Sequence, residues 1–347
     1  MKNLKHLLVS LTIILSSCSK DDNKISITDN DATVKDIYIC GYEYNGDYNL
    51  AKYWKNGKSI SITDAPTYSW ATAITVVENN VYVAGYQRGS KGFFVAKYWK
   101  NGIATTLTNG ENFAKTNAIT VIDNNVYVAG YEQNNTEKNV AKYWKNGKAI
   151  SLTDGTKNAE ATAIVVVGND VYVAGYEQDN TGNNVAKYWK NGISTKLTID
   201  ANYGIISAIR VVENDVYTAG YEYNSTERIA KYWKNGVSIP LSDGTKDAGA
   251  NALTIANNNV YAVGSEYNGT GYIAKYWKNG IAIPLSGDLK DTEASAVAVV
   301  ANNVYIAGSQ NNGTNSVIKY WKNGVAEPIE IKTEGNSRAT GIFITTK

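Results

Sequence analysis

An all-β fold of seven repeated four-stranded sheets is predicted by three features of this 347-residue sequence. The segment Lys-Tyr-Trp-Lys-Asn-Gly occurs seven times, and its tryptophans are spaced 45, 45, 45, 44, 44 and 44 residues apart. Each repeat contains four short strand-like segments, and an isolated first strand follows the last repeat. Together these features predict a closed seven-bladed β-propeller of four-stranded antiparallel blades.

The four strands are clearest in the third repeat. Residues 117–122 and 126–131 are rich in apolar and β-branched residues and are joined by a turn signal, Asp-Asn-Asn. Residues 140–145 and 149–153 flank an Asn-Gly pair. This pair favours a two-residue type I′ hairpin, in which both central residues have positive φ. The pair recurs in all seven repeats, so each is predicted to contain the same hairpin.

Proline positions indicate which strand is outermost. Pro240, Pro284 and Pro328 occupy the same position of the fourth strand in the last three repeats. Proline lacks the N–H group that a central strand needs and is confined to edges, strand starts and bulges. The fourth strand is therefore predicted to form the outer edge of each blade.

The two ends of the chain predict how the ring closes. The first repeat begins at a second strand, residues 36–42, whereas a first strand, residues 338–345, follows the last repeat. Pairing of these segments, with Phe343 near Tyr38, would complete a blade and remove the exposed edges. An open solenoid would instead need polar capping repeats, which the sequence lacks.

The repeated aromatic residues are interpreted as packing between blades. The expected register sets Ala129 opposite Tyr143 and Val128 opposite Trp144, so that small residues face large ones. Cys40 takes the place of an alanine in other repeats. It is therefore predicted to be a small buried side chain, not a reactive thiol.

The N-terminal segment is predicted to lie outside the propeller. Lys2 and Lys5 precede a short apolar run, residues 7–15, which is below the length of about 20 residues that a bilayer span requires. The sequence that follows, Leu15-Ser16-Ser17-Cys18, resembles the lipobox of bacterial lipoproteins.

This resemblance implies a division into three parts. Residues 1–17 would be a signal peptide, Cys18 would carry lipid such as palmitate, and residues 18–33 would form a flexible tether to a propeller at 34–347. The segment Ser19-Lys20-Asp21-Asp22 resembles the signal that sends some Gram-negative lipoproteins to the outer surface. A lipid-anchored protein exposed on the outer membrane is therefore expected.

Composition excludes several functions. Removal of residues 1–17 takes away two of the 34 basic residues and no acid, which leaves 32 basic and 32 acidic residues. A neutral chain does not fit nucleic-acid binding. His6, the only histidine, lies in the predicted signal peptide, and Cys40 is the only cysteine besides Cys18. No catalytic, cofactor-binding or metal-binding residue is predicted, and a monomer is expected.

Candidate binding residues are placed on the face where the long loops gather. Loops between the second and third strands and between blades emerge on this face, while the tight turns emerge on the other. Tyrosines there suit stacking on sugars or peptides, and carboxylates suit hydrogen bonding to hydroxyl groups. The candidates are Glu43, Tyr44, Tyr48, Glu132, Glu177, Glu222, Tyr223, Glu266, Tyr267 and Tyr272.

Two classes of function remain open for this face. The favoured hypothesis is a non-catalytic module that recognises an extracellular glycan or a cell-surface protein. The alternative is a histidine-free glycosidase or lyase that uses Asp, Glu and Tyr. Catalysis requires one asymmetric group of residues, whereas the glutamate recurs with the blade. The glutamate is also interpreted as a structural residue that pairs with a lysine or a loop amide. Repetition therefore favours binding.

The repeat core also supports a family resemblance. Val-Tyr-Val-Ala-Gly-Tyr-Glu followed by Ala-Lys-Tyr-Trp-Lys-Asn-Gly is similar to the repeats of bacterial outer-membrane lipoprotein propellers over residues 36–345. It is distantly similar to kelch repeats, but it has one glycine where kelch repeats have two. The resemblance implies the fold, and Cys18 is the one functional residue it carries over.

Overall fold

The computed structural model describes most of the chain after residue 33. The described residues are 34–63, 67–198, 203–285, 287, 290–327 and 335–347. The predictions for the signal peptide, Cys18, the tether and Pro328 lie outside these residues. The propeller belongs to one compact unit, Ala32–Lys347. Within the described residues there is no helix with the length and apolar character needed to cross a membrane.

Seven four-stranded antiparallel sheets make up the described fold. The first strands are β4 (Ser69–Val77), β8 (Ala114–Ile122), β12 (Ala159–Val167), β16 (Gly204–Val212), β20 (Ala248–Ala256), β24 (Thr292–Val300) and β28 (Ser337–Thr346). The second strands are β1 (Val34–Tyr44), β5 (Asn80–Arg88), β9 (Asn125–Gln133), β13 (Asp170–Gln178), β17 (Asp215–Tyr223), β21 (Asn259–Tyr267) and β25 (Asn303–Asn311).

Third and fourth strands complete the blades. The third strands are β2 (Asn49–Lys55), β6 (Phe94–Lys100), β10 (Asn139–Lys145), β14 (Asn184–Lys190), β18 (Arg228–Lys234), β22 (Tyr272–Lys278) and β26 (Ser316–Lys322). The fourth strands are β3 (Lys58–Ser61), β7 (Ile103–Thr106), β11 (Lys148–Ser151), β15 (Ile193–Lys196), β19 (Val237–Pro240), β23 (Ile281–Ile283) and β27 (Val325–Ala326). Blade 1 contains β28, β1, β2 and β3, and blades 2 to 7 follow in chain order from β4.

The predicted strand order and closure are confirmed. In every blade the fourth strand lies at the edge, and Pro240 ends β19 there. Strand β28 pairs with β1, with Phe343 directly opposite Tyr38. The ring is also closed by packing, because Trp54 of blade 1 lies in one buried cluster with Tyr305 and Ala307 of blade 7.

The Asn-Gly hairpins have the predicted geometry. Asn146 has φ of 50° and Gly147 has φ of 83°, the signs of a type I′ turn. The asparagine also has a role that the sequence prediction missed. Its Oδ1 accepts a 2.9 Å hydrogen bond from the N–H of Val126, and its Nδ2 donates to Oδ1 of Asn125 at 2.8 Å. The two tight turns of each blade are therefore linked on one face of the ring.

Packing between blades follows the predicted register. Ala129 lies opposite Tyr143 and Val128 opposite Trp144. Seven buried clusters, one at each blade interface, each contain a tryptophan of the repeated segment. Cys40 is fully buried in one of them, and burial raises the pKa of its thiol to about 12. The prediction of a small buried side chain at Cys40 is confirmed.

Candidate functional site

The long loops share one face of the ring, which we call the long-loop face. In blade 3 the loop between the second and third strands contacts the connection to blade 4, because Asn134 Nδ2 donates a 2.9 Å hydrogen bond to the carbonyl of Gly155. Asn134 Oδ1 also accepts from the N–H groups of Thr136 and Lys138 at 3.0 Å. Such Asx turns hold the loops in fixed shapes without ligand.

A central channel is lined by the first strands. Each first strand contains a β-bulge at one position, where an extra residue faces the channel without a partner on the second strand. The bulge residues are all small and polar: Thr72, Asn117, Thr162, Ser207, Asn251, Ser295 and Thr340. They line a cavity of about 180 Å³.

Several bulge residues hydrogen-bond to the next blade. Asn117 Nδ2 donates to the carbonyl of Ala161 at 2.9 Å, and Asn251 Nδ2 donates to that of Ala294 at 3.0 Å. Thr340 Oγ1 makes the same bond across the closure, to the carbonyl of another first strand. These bonds give the bulge residues a structural role at the blade interfaces, because they satisfy carbonyls next to the channel.

Among the residues that the structure describes, Arg210 is the one charged residue that lines this cavity. Its Nη1 donates to the carbonyl of Ile209 at 2.8 Å, and desolvation within the channel lowers the pKa of its guanidinium. The equivalent residues of blades 2 and 3 are Thr75 and Thr120. Arg210 therefore distinguishes blade 5 from other blades inside the channel.

The channel mouth on the long-loop face is the most variable part of the repeat. Residues two positions before each bulge residue lie on the same side of the first strand as that residue. We call these seven the mouth residues: Trp70, Lys115, Glu160, Ile205, Gly249, Glu293 and Arg338. All seven second strands share a glycine, and each mouth residue is paired in register with the residue after it. These partners are Tyr86, Tyr131, Tyr176, Tyr221, Ser265, Ser309 and Tyr42.

The predicted glutamates form ion pairs within their own blades. Each lies on a second strand and contacts a lysine of the third strand. The pairs are Glu43–Lys52, Glu132–Lys142, Glu177–Lys187, Glu222–Lys231 and Glu266–Lys275. In blade 2, Gln87 replaces the glutamate, and its Oε1 accepts a 3.0 Å hydrogen bond from Lys97. The lysine partner expected from the structural interpretation is present, and a role of these glutamates in binding remains a prediction.

The predicted tyrosines are spread around the long-loop face. The hydroxyl groups of Tyr44 and Tyr267 donate to loop carbonyls two residues later. Tyr48 and Tyr223 pack against other loop tyrosines in edge-on contacts. The ring centroids of Tyr272 and Tyr267 lie 5.5 Å apart, and Tyr272 is 38% exposed. The structure therefore brings Tyr267 and Tyr272 together and leaves the other three apart from them.

An aromatic cluster covers blades 1 to 3 on this face. Trp70 is the one tryptophan outside the repeated segment, and it is half-buried. Its ring stacks on Tyr86 and Tyr68, with centroid distances of 5.1 and 6.0 Å, and forms a T-shaped pair with Phe94 at 5.1 Å. The ammonium of Lys115 lies 5.2 Å from the centre of the Tyr86 ring. These rings form a continuous, partly exposed platform beside the channel mouth.

Glu160 is the most perturbed acid at the mouth. Burial raises the pKa of its carboxyl, although hydrogen bonds from Tyr176 and Asn139 and the nearby Lys115 act in the opposite direction. Burial also raises the pKa of Tyr176. A raised pKa is a property that a general acid needs, so Glu160 is the mouth carboxyl whose surroundings favour that role.

A pocket of about 420 Å³ lies on the long-loop face, at blades 5 to 7 and the first strand of blade 1. We call it the Gly249 pocket; its lining includes Gly249, Asn251, Ser265, Tyr272, Asp291 and Arg338. A depression of about 490 Å³ lies on the tight-turn face between blades 3 and 4. That depression is lined largely by repeat residues such as Asn125 and Asn191, whereas the Gly249 pocket is formed by residues that break the repeat.

Sequence reasoning missed Trp70, Glu160, Gly249 and the rest of the mouth because it followed what the repeats share. Positional comparison of the seven repeats gives the missing signal, since the mouth position holds an aromatic, a cation, an acid, an aliphatic residue and a glycine in turn. Among the described parts of the chain, no group of three or more His, Cys, Asp or Glu could hold a metal ion.

Comparison with known proteins adds little to this site. No protein-family model matches the chain, and no curated protein matches it. Among solved structures, a puromycin-hydrolyzing peptidase of Mycobacterium tuberculosis is similar, with a TM-score of 0.48 and 10% sequence identity. The match covers 76% of this chain and 46% of the peptidase chain, so this chain spans less than half of that protein. A likeness at this level does not carry the peptidase's activity over.

Proposed function

We propose that this protein is a non-catalytic recognition module that binds an extracellular glycan or a cell-surface protein through its long-loop face. The observation that carries the proposal is the clustering of non-repeat residues there. Trp70 stands at the mouth position, which holds lysine, glutamate, isoleucine, glycine or arginine in the other blades. A half-buried aromatic platform next to polar loops is a common arrangement for sugar and peptide recognition.

Rigidity supports the same proposal. The loops around the platform are held by their own hydrogen bonds, as in the Asn45 turn, where Oδ1 accepts from the N–H groups of Asp47 and Tyr48. A surface that is already ordered loses little conformational entropy when a ligand binds. Binding therefore needs no loop that closes over the ligand. The propeller is proposed to bind as a monomer.

The anchoring proposal rests on the sequence. Cys18 follows a lipobox-like segment, so the propeller would be held at the outer membrane by lipid and exposed on the cell surface. Metabolic labelling with a palmitate analogue should mark the wild-type protein and leave Cys18→Ala unmarked. Labelling of both forms, or of neither, would argue against lipid at this residue.

Binding arrays test the main proposal. The ring closes within residues 34–347, so this part can be purified and applied to arrays of glycans and cell-surface proteins. Trp70→Ile installs the residue found at the mouth of blade 5 and should weaken binding at least tenfold, with a cooperative thermal transition as evidence that the variant is folded. Tyr44, Tyr223 and Tyr267 changed to Ala should weaken binding where the ligand extends over them.

A matched control separates the two faces. Asn169→Asp on the tight-turn face should bind as the wild type does. No binding by the wild-type propeller to any glycan or surface protein would refute the proposed function. If Trp70→Ile binds as tightly as the wild type, the aromatic platform is not part of the binding surface.

Glu160 favours one alternative, a histidine-free polysaccharide hydrolase or lyase. Its raised pKa is the property that such an enzyme needs in its acid. If the wild-type propeller depolymerised a polysaccharide and Glu160→Gln lost that activity with binding retained, the enzyme hypothesis would replace ours.

A further inference from the structure

The Gly249 pocket exists because blade 6 has small residues at two positions where other blades have larger ones. Gly249 and Ser265 lie opposite each other in register, where blade 2 has Trp70 opposite Tyr86. A Cβ atom added to Gly249 would lie 3.6 Å from Cδ1 of Tyr221, an ordinary van der Waals distance. The glycine is therefore not required by its backbone or by a close approach. Its effect is to leave about 420 Å³ open, within the range of ligand sites.

Polar groups with fixed orientation line this pocket. Asn251 Nδ2 donates to Oε1 of Glu293 and to a carbonyl, which leaves its Oδ1 as an acceptor without a partner in the described chain. Asn311 has the opposite orientation, because its Oδ1 accepts from Gly313 N–H at 2.9 Å and its Nδ2 remains a donor. The pocket thus offers one oriented acceptor and one oriented donor, which suits a ligand with several hydroxyl groups.

An aromatic wall is held in place by an ion pair. Arg228 Nε donates to Oδ1 of Asp247 at 2.8 Å, and Tyr272 donates its hydroxyl proton to the same carboxylate. The guanidinium lies 5.2 Å from the centre of the Tyr221 ring and 5.8 Å from that of Tyr272. Both tyrosine rings are therefore fixed before any ligand arrives, and such rings pack against the C–H faces of sugars.

Both cations of the pocket are paired with acids. Arg228 is paired with Asp247, and Arg338 is paired with Glu293. Asp291, which also lines the pocket, has no hydrogen-bonding partner for its carboxylate among the described residues. An anionic ligand would therefore find both arginines already paired with acids and would be repelled by the unpaired carboxylate of Asp291. A neutral ligand with hydroxyl donors for Asp291 is favoured.

We propose that the Gly249 pocket binds a neutral pyranose unit of a glycan. This inference rests on the proposed function and names the ligand class for one site on the same face. The pyranose ring packs against the tyrosine wall, and its hydroxyl groups bond to Asn251, Asn311 and Asp291. Charged sugars and peptides are the competing ligands that an experiment must separate.

The test uses the propeller, residues 34–347, and saturation-transfer NMR with small probes. The probes are the methyl pyranosides of glucose, galactose and mannose, the methyl glycoside of glucuronic acid, and a neutral tripeptide. At least one neutral pyranoside should receive saturation from the wild type. Gly249→Ile, which fills the pocket with the blade 5 residue, should lower that affinity at least tenfold, and Gly249→Ala should retain it.

Further variants make the outcome independent of one substitution. Ser265→Tyr restores the tyrosine of five other blades and should also abolish transfer, with an unchanged thermal midpoint as evidence of folding. Asp291→Asn should weaken binding while leaving the pocket open. Transfer from the glucuronide or the tripeptide alone would overturn the assignment of a neutral sugar.

The two proposals fail in different ways. Pyranoside binding that is unchanged in both Gly249→Ile and Ser265→Tyr would overturn the pocket and leave recognition by the long-loop face intact. If none of the pyranosides binds while the arrays detect a protein partner, the sugar pocket is wrong and the recognition module stands. If neither the arrays nor the pyranosides show binding, both proposals are wrong.

Discussion

The hydroxyl group of Thr340 on β28 lies 3.0 Å from the carbonyl oxygen of Ala71 on β4, to which it donates a hydrogen bond. Thr340 is a bulge residue of the blade that joins the two ends of the chain, and Ala71 belongs to the following blade. The closure of the ring is therefore secured beyond the pairing of β28 with β1. It includes the same type of contact that Asn117 and Asn251 make elsewhere around the channel.

We expect Thr340→Val to lower the free energy of unfolding by about 1 kcal/mol. Valine has nearly the same shape, so the change removes the hydroxyl donor and leaves packing almost unaltered, and a net hydrogen bond contributes about 0.5–1.5 kcal/mol. Urea unfolding of residues 34–347, followed by tryptophan fluorescence, measures the difference.

Thr75→Val is the matched control for this prediction. Thr75 lies on a first strand, makes no hydrogen bond through its side chain within the described residues, and has Val165 as its equivalent in blade 4. Its substitution should change stability by less than about 0.5 kcal/mol. Equal losses in the two variants would mean that the hydroxyl of Thr340, which is within hydrogen-bond distance of the carbonyls of both Ala71 and Cys40, does not stabilise the closure.

The glutamate of the repeat is expected to act on stability. Glu132→Gln should be nearly neutral, because Gln87 makes the equivalent contact with a lysine in blade 2. Glu132→Ala should cost about 1–2 kcal/mol, since it leaves the half-buried ammonium of Lys142 without its partner. Thermal and urea unfolding of the two variants gives this comparison.

Array binding by the same two variants decides between the two interpretations of Glu132. If Glu132 is only a structural residue, Glu132→Gln should bind any ligand as tightly as the wild type does. If Glu132→Gln loses affinity while its stability is unchanged, the glutamate contacts the ligand. That result would support its selection from the sequence as a binding residue.

Repeated features of the fold could be predicted because each rests on a local rule. The Asn-Gly pair requires positive φ, Pro240 excludes a central strand, and Ala129 opposite Tyr143 follows from packing small against large. Because each rule applies to several repeats, the fold prediction does not depend on any single repeat. The strand pairing of Tyr38 with Phe343 followed from a strand missing at one end and present at the other.

The site could be predicted only in part because it depends on departures from the repeat. Tyr272 was among the candidates, and it lines the Gly249 pocket. Gly249 and Ser265 are ordinary residues when considered singly. Their significance appears when the register places them opposite each other and shows that the space is not filled by Tyr221 or another neighbour. That information is three-dimensional, and no local pattern contains it.

Cys40 is expected to be unreactive in the folded protein. Burial raises the pKa of its thiol to about 12, so the thiolate that reacts with disulfide reagents is scarce at neutral pH. A thiol-specific reagent should modify residues 34–347 only after unfolding in urea. Cys40→Ala, which installs the residue of blade 2, should cost about 1 kcal/mol or less. Rapid modification of the native protein would contradict the buried position.

Glu160→Gln should stabilise the protein at pH 7 and have little effect at pH 4. Because the folded-state pKa is raised, the folded protein binds a proton at Glu160 more readily than the unfolded chain does. The resulting stability is fully present below the unfolded pKa and is lost as the pH rises through the folded pKa. Glutamine stays neutral and avoids that loss, so the thermal midpoint should rise by about 2 °C at pH 7. Glu137→Gln, at an exposed loop position, should show no such pH dependence, and a lower midpoint for Glu160→Gln at pH 7 would mean that hydrogen bonds to the carboxylate outweigh its burial.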